Sequence, residues 1–271
     1  MTQIEAKKEQ VDDVITQDST RYSREDHEVW SLLYEKRMSH LRDVGSRAYL
    51  SGAEAIGLSP TEVPDLREVN EKLSRRTGWA AVPVRGFIPA SRFFAFLAMR
   101  RFPTTISVRP KAQLDYLPEP DIFHDVFGHV PLHADPVFAD FLQRFGAVAS
   151  AAKSPEAVER MARLFWFTVE FGLIEEDGEL RAYGSGLISS QADCINALGP
   201  SCERRPFSLG AVMDQSFEID HVQPVLFVIR RFEELFEAVS GAETNLHSLE
   251  SSGSRKPIAK NRDKTYYENE V

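Results

Sequence analysis

Three of the chain's seven histidines, His124, His129 and His133, fall within ten residues, in the run PEPDIFHDVFGHVPLH from Pro118 to His133. Neutral imidazole is the commonest side-chain metal ligand, so this density is the first candidate for chemistry. Pro118 and Pro120 disfavour helix in the residues before them, and Asp121 is a good N-cap. The run predicts a short helix opening at Asp121, with His124 at its third position. On an ideal α-helix a spacing of five sets two side chains roughly 140° apart. His124 and His129 thus do not share a face, as histidines four apart do in a zinc protease. Chelation by both needs a favourable entry angle or a local distortion, which Gly128 and Pro131 can permit. From spacing alone, metal ligands and hydrogen-bonded structural histidines are equally good readings of the pair.

Glu170 adds a carboxylate from another part of the chain, LFWFTVEFGL (Leu164–Leu173). In a helix its neighbours are Trp166 and Phe167 one turn before, with Phe171 and Leu173 after it. A carboxylate in that apolar setting must be paired or bound to a metal, because an isolated charge is costly to desolvate. Arg163 stands seven residues earlier on the same face, about 10.5 Å along the axis. A direct pair is strained, and a metal is the more economical partner. His124, His129 and Glu170 together form the set of two imidazoles and one carboxylate that leaves positions open at Fe(II) for oxygen chemistry. The same three also suit catalytic zinc with a bound water. Residue chemistry does not choose between the two metals.

The elements that must position these groups are mostly helical. Ser23 followed by Asp26 resembles a capping box, and Val29, Trp30, Leu33, Met38 and Leu41 then recur at mostly helical spacing. Further helices are predicted over about 60–76, closed near Gly78; over 91–101; and over 136–150, where Phe138, Phe141, Leu142 and Phe145 form an apolar stripe. Strand signals are short: Ile106 to Val108, Val222 to Ile229, and a hairpin turned at Asp177-Gly178 between Leu173 and Tyr183. The expected fold class is α+β, mainly α with a small β part, in one catalytic domain over 21–240. Residues 1–20 and 241–271 are polar and lack periodicity, and they are expected as disordered tails.

Composition narrows the partners. A chain of 271 residues that is 42% hydrophobic can bury a sizeable core. Its formal net charge of −9 argues against a nucleic-acid surface, which needs clustered Lys and Arg. A small-molecule partner fits better. No apolar run reaches the roughly 18 residues of a membrane span, and the start MTQIEAKKEQ lacks the apolar core of a secretory signal. A cytoplasmic location without membrane contact is expected. Cys194 and Cys202, with seven residues between them, fit neither a disulfide framework nor a CxxC metal site and read as buried or idle thiols.

The runs RFPTTISVRP, LDYLPEPDIFHDVFGHVP, FADFLQRFG, ARLFWFTVEFGLI and RAYGSGLISS together resemble the pterin-dependent aromatic amino acid hydroxylases, in particular compact bacterial members that act on phenylalanine. The resemblance spans about 24–240. It implies a single catalytic domain using Fe(II), a tetrahydropterin co-substrate (tetrahydrobiopterin or a relative) and O2 on a free aromatic L-amino acid. The activity it implies is that of a phenylalanine 4-monooxygenase, converting L-phenylalanine to L-tyrosine. Tryptophan 5-hydroxylation and phenylalanine 3-hydroxylation are the alternatives within the family, and a zinc-dependent hydrolase using the same trio is the alternative outside it.

Carried over by position, His124, His129 and Glu170 resemble the family's iron ligands. Phe93, in ASRFFAFLAMRRF, resembles the ring on which the pterin stacks, and Asp125 an acidic residue beside the pterin. Arg109 resembles the arginine that holds the substrate carboxylate, a task suited to a two-pronged donor. Asp121 resembles a residue supporting that arginine, Trp166 an aromatic wall of the amino-acid pocket, and Ser189 a residue that orients a ligand histidine on the substrate side. One departure stands out: Phe165 occupies a position where the family commonly carries Tyr. The regulatory module and helical tetramer tail of the animal enzymes have no counterpart in this sequence, so a monomer is expected.

Overall fold

The computed structural model describes residues 13–86, 88–114, 119–219 and 221–241. The capping box forms as the sequence requires: Ser23 Oγ accepts from Asp26 N–H, and the Asp26 carboxylate accepts from Ser23 N–H. It opens α1 (Arg24–Val44), which buries Val29, Trp30, Leu33, Arg37 and Leu41. α2 (Arg47–Ile56) follows from a Ser46 cap. The helix expected from about residue 60 starts later, as α3 (Leu66–Thr77). Pro64 disfavours helix in the residue before it, and the Asp65 carboxylate accepts from Arg67 N–H to cap the first turn. Gly78 closes this helix in the left-handed region.

β1 (Ala80–Pro83), α4 (Ala90–Ala98) and β2 (Arg101–Thr104) form a parallel pair of strands joined by a helical crossover. The strand expected at Ile106 to Val108 does not form, because its backbone groups are satisfied elsewhere. Ile106 O accepts from the Tyr22 hydroxyl at 2.7 Å and Ser107 O from Ile122 N–H at 2.9 Å. These bonds steer the chain from β2 into the histidine run.

α5 (Pro136–Ala151), capped by Asp135, packs along α4, and α6 (Pro155–Phe165) follows. β3 (Leu173–Glu176) and β4 (Glu179–Ala182) make the expected hairpin, with Asp177 and Gly178 at φ of 55° and 80°. After them come α7 (Ser185–Ser189), α8 (Gln191–Leu198), β5 (Glu203–Pro206), α9 (Leu209–Asp214) and β6 (Val225–Ile229), and residues 233–241 are helical. The second sheet runs β4-β3-β6-β5, antiparallel between β3 and β4 and parallel elsewhere. Mainly helical with two small sheets, the fold is the expected α+β class.

The core is aromatic. Phe123 and Phe127 stack at 4.4 Å, and Trp30 meets Phe123 edge-on at 5.4 Å. Cys194 and Cys202 are free and buried. Of the expected tails, 1–12 and 242–271 lie outside the described residues. Residues 13–20 differ from the expectation: Ile15 N–H donates to Pro83 O, and the Gln17 amide bonds Pro64 O and Leu66 N–H. These bonds use main chain and one glutamine, so hydrophobic patterning does not announce them. Among the described residues no helix is long and apolar enough to cross a membrane.

Candidate active site

Both runs that carry candidate ligands leave the α-helical pattern where those ligands sit. Residues Phe123–His129 and Trp166–Glu170 are π-helical. In a π-turn each N–H returns to the carbonyl five residues back, as Phe171 N–H does to Trp166 O at 2.9 Å. The wider turn brings residues five apart to one side. The spacing of His124 and His129, awkward on an α-helix, is thereby made workable, and their rings lie 5.1 Å apart. Asp121 caps this segment as expected, its Oδ1 accepting from His124 N–H at 3.1 Å and its main-chain oxygen from Asp125 N–H. Gly128 serves close approach: a Cβ there would meet Ser185 O at 3.1 Å and Ser185 Cβ at 3.3 Å.

The two π segments bring the three candidate ligands together. His129 Nε2 stands 3.1 Å from Glu170 Oε1, and His124 Nε2 3.6 Å from Glu170 Oε2. One ligand atom from each residue lies within 4.8 Å of the others. Arg163 is engaged elsewhere, with Glu159 and with Met213 O, and among the described residues no lysine or arginine pairs with Glu170. Burial pulls the His124 pKa down to about 4, so its imidazole is neutral near pH 7. Burial pushes Glu170 up, but the two imidazoles and the Ser185 hydroxyl outweigh it and hold the carboxyl at about 2. A neutral imidazole and an ionised carboxylate are ligating forms. A largely buried carboxylate that meets no lysine or arginine among the described residues and faces two imidazoles fits a divalent iron.

The two histidines are held differently. His124 Nδ1 lies 2.9 Å from Ser189 Oγ, and with Nε2 serving as a metal ligand the proton sits on Nδ1, which then donates to the serine oxygen. The His129 ring is instead packed against Phe102 at 4.6 Å, and its buried Nδ1 has no hydrogen-bond partner among the described residues. Sequence reasoning missed Ser185, whose Oγ donates to Glu170 Oε2 at 2.7 Å. A lone serine in YGSG carries no local signal of that contact.

A cavity of about 230 Å³ opens beside the trio, lined among others by Phe93, Phe102, Asp125 and Phe165. Phe93 meets Phe165 edge-on at 5.4 Å, so the wall near His129 is hydrocarbon where a Tyr would put a hydroxyl. Burial raises the Asp125 pKa to about 7, although Thr105 N–H and Oγ donate to its carboxylate at 2.6 and 2.8 Å. Arg109, Asp121, Trp166 and Ser189 do not line this cavity. Arg109 is clamped by Asp121, Nε and Nη2 each 2.8 Å from one carboxylate oxygen, and Nη1 donates to Leu114 O. Trp166 stacks on Phe217 at 4.5 Å. All four are nonetheless tied to a ligand: Asp121 caps His124 and holds Arg109, Ser189 bonds His124, and Trp166 opens the turn that ends at Glu170.

A mainly helical domain with a part-buried trio of this kind defines a mononuclear metalloenzyme. The chain belongs to the biopterin-dependent aromatic amino acid hydroxylases, whose family model matches residues 6–248. It is 43% identical over 230 residues to the phenylalanine-4-hydroxylase of Chromobacterium violaceum, covering 84% of this chain and 77% of that protein. With the phenylalanine-4-hydroxylase of Caulobacter vibrioides the identity is 44% over 217 residues, 80% of this chain and 74% of the relative. The crystal structure of the Chromobacterium violaceum enzyme with bound iron(III) and 7,8-dihydrobiopterin superposes with a TM-score of 0.83 at 40% identity, over 93% of this chain and 96% of that one.

Proposed function

We propose that this chain is an iron- and tetrahydropterin-dependent monooxygenase that hydroxylates the ring of free L-phenylalanine to give L-tyrosine. The observation that carries the reading is the convergence of His124, His129 and Glu170 beside a cavity, in a chain of this family. Relatives at 43% and 44% identity that bear the name phenylalanine-4-hydroxylase favour phenylalanine over tryptophan and the 4-position over the 3-position.

Iron, tetrahydropterin and O2 supply the oxidising chemistry, in which one oxygen atom enters the ring and the other is reduced at the expense of the pterin. The chain's own residues bind, orient and exclude water. His124, His129 and Glu170 would hold the metal, three protein donors being few enough to leave room for reactants. Ser189 fixes the His124 ring, and with it the nitrogen that ligates. Phe93 offers a flat apolar face to the pterin, and Asp125, steadied by Thr105, offers it a polar contact. Phe102 and Phe165 keep the cavity wall near His129 dry.

On the amino-acid side, Arg109 receives the substrate carboxylate. Asp121 supports the role by holding the guanidinium in one plane before substrate arrives. Trp166 walls the substrate ring. A monomer in the cytoplasm completes the reading, and sedimentation velocity checks the first part. The whole is tested by supplying anaerobically Fe(II)-loaded protein with tetrahydrobiopterin and O2, offering phenylalanine, tryptophan and tyrosine separately, and identifying products by mass and ring position. Para-tyrosine from phenylalanine is expected; a meta-hydroxyl product, or preferred turnover of tryptophan, overturns the assignment.

A further inference from the structure

α7 is only five residues long, yet both of its terminal serines touch candidate ligands. Ser189 Oγ lies against His124 Nδ1, and Ser185 Oγ donates to Glu170 Oε2 at 2.7 Å. The other acceptor within reach of Ser185, Val169 O, is 3.4 Å away, so the carboxylate is the acceptor of its hydrogen bond. A helix this short does not stand by itself. It is anchored by Arg37 of α1, a buried guanidinium that donates to Leu187 O at 2.9 Å and Ile188 O at 2.7 Å. On its other flank the backbone is pressed onto Glu170: a Cβ at Gly184 would fall 2.4 Å from Glu170 O. Ser185 is therefore placed by the fold, with little freedom to turn elsewhere.

The terminal torsion of a glutamate is broad, so the carboxylate plane is not fixed by its own stereochemistry. A carboxylate free to rotate can present one oxygen or two to a cation. We propose that Ser185 is a positioning residue for Glu170, its hydroxyl occupying Oε2 so that Oε1, 3.1 Å from His129 Nε2, is presented as the single ligating oxygen. The inference rests on the reading of His124, His129 and Glu170 as the metal ligands. It makes α7 a two-point brace, one serine for a histidine and one for the carboxylate.

The test titrates the apoprotein with Co(II) against a competing chelator and records the visible spectrum of the Co(II) form. Ser185→Ala and Ser185→Cys are the variants; cysteine nearly preserves the volume and is only a weak donor. Both are expected to weaken Co(II) binding about tenfold or more and to alter the Co(II) bands, while Ser185→Thr, which keeps the hydroxyl, retains the wild-type bands. Wild-type affinity and spectrum in the Ala and Cys variants overturn the proposal, and so does equal weakening by Ala, Cys and Thr, which marks a packing role. Failure of the underlying reading has a different signature: wild-type protein that does not take up one Co(II) per chain, or a Glu170→Gln variant that binds Co(II) as tightly as wild type.

Discussion

At one end of the site, His124, His129 and Glu170 converge on a point without any lysine or arginine pairing with the carboxylate among the described residues; at the other, Arg109 and Asp121 satisfy each other through two 2.8 Å contacts. The first end is a set of donors that a cation completes. The second is complete within the chain, and so is organised before any ligand arrives. The two ends meet at Asp121, which clamps Arg109 with both oxygens and caps His124 with one of them. Damage at the metal end should therefore appear as lost metal and lost turnover, and damage at the arginine end as lost stability and weaker amino-acid binding.

The largest effect tests the incomplete end. Glu170→Gln keeps the shape and removes the charge, and it should lower tyrosine formation on the order of a thousandfold or more, since the metal supplies the chemistry. Steady-state tyrosine formation measured by chromatography checks this, and near-normal turnover would show that the carboxylate holds no metal. Next comes the self-satisfied end. Asp121→Ala leaves a largely buried guanidinium without its partner and removes a cap, which should cost about 3 kcal/mol of unfolding free energy. Asp121→Asn keeps an oxygen able to accept from His124 N–H, so urea melts of the two variants separate capping from ion pairing. Ser189→Ala should weaken Fe(II) binding about tenfold with little change in the melting of the apoprotein, read by chelator competition and by calorimetry.

The smallest effect is a control away from both ends. Asp65 caps α3, and its hydrogen bonds to Arg67 and Ser19 hold its pKa down from 3.8 to about 2. Because the folded value is depressed, this stabilisation is present above the ordinary carboxyl pKa and is lost as pH falls toward 2. Asp65→Ala should cost about 1 kcal/mol at pH 7, with the gap from wild type closing in acid and hydroxylation unchanged.

Much of the frame is legible from local chemistry. The Ser23 cap, the Asp177-Gly178 turn and the Asp121 cap each rest on residues acting on their own neighbourhood, and each forms. The burial of Glu170 among aromatics is likewise readable, since a charge in that setting must have a partner. What a 3.6-residue template cannot supply is the π-turn, which converts the five-residue spacing of His124 and His129 from an obstacle into a fit. The strand signal at Ile106 to Val108 fails for a related reason: its carbonyls are claimed by Tyr22 and Ile122, partners 84 residues earlier in one case and beyond the loop in the other. Ser185 is not legible for the same cause, because its contact with the carboxylate spans 15 positions.

The proposed function requires one metal ion joined to His124, His129 and Glu170. Crystals grown anaerobically with Fe(II) and measured on both sides of the iron absorption edge test it most directly. A single strong anomalous peak per chain is expected, bonded to His124 Nε2, His129 Nε2 and a Glu170 carboxylate oxygen. A peak that excludes Glu170, or iron held by other side chains, would contradict it.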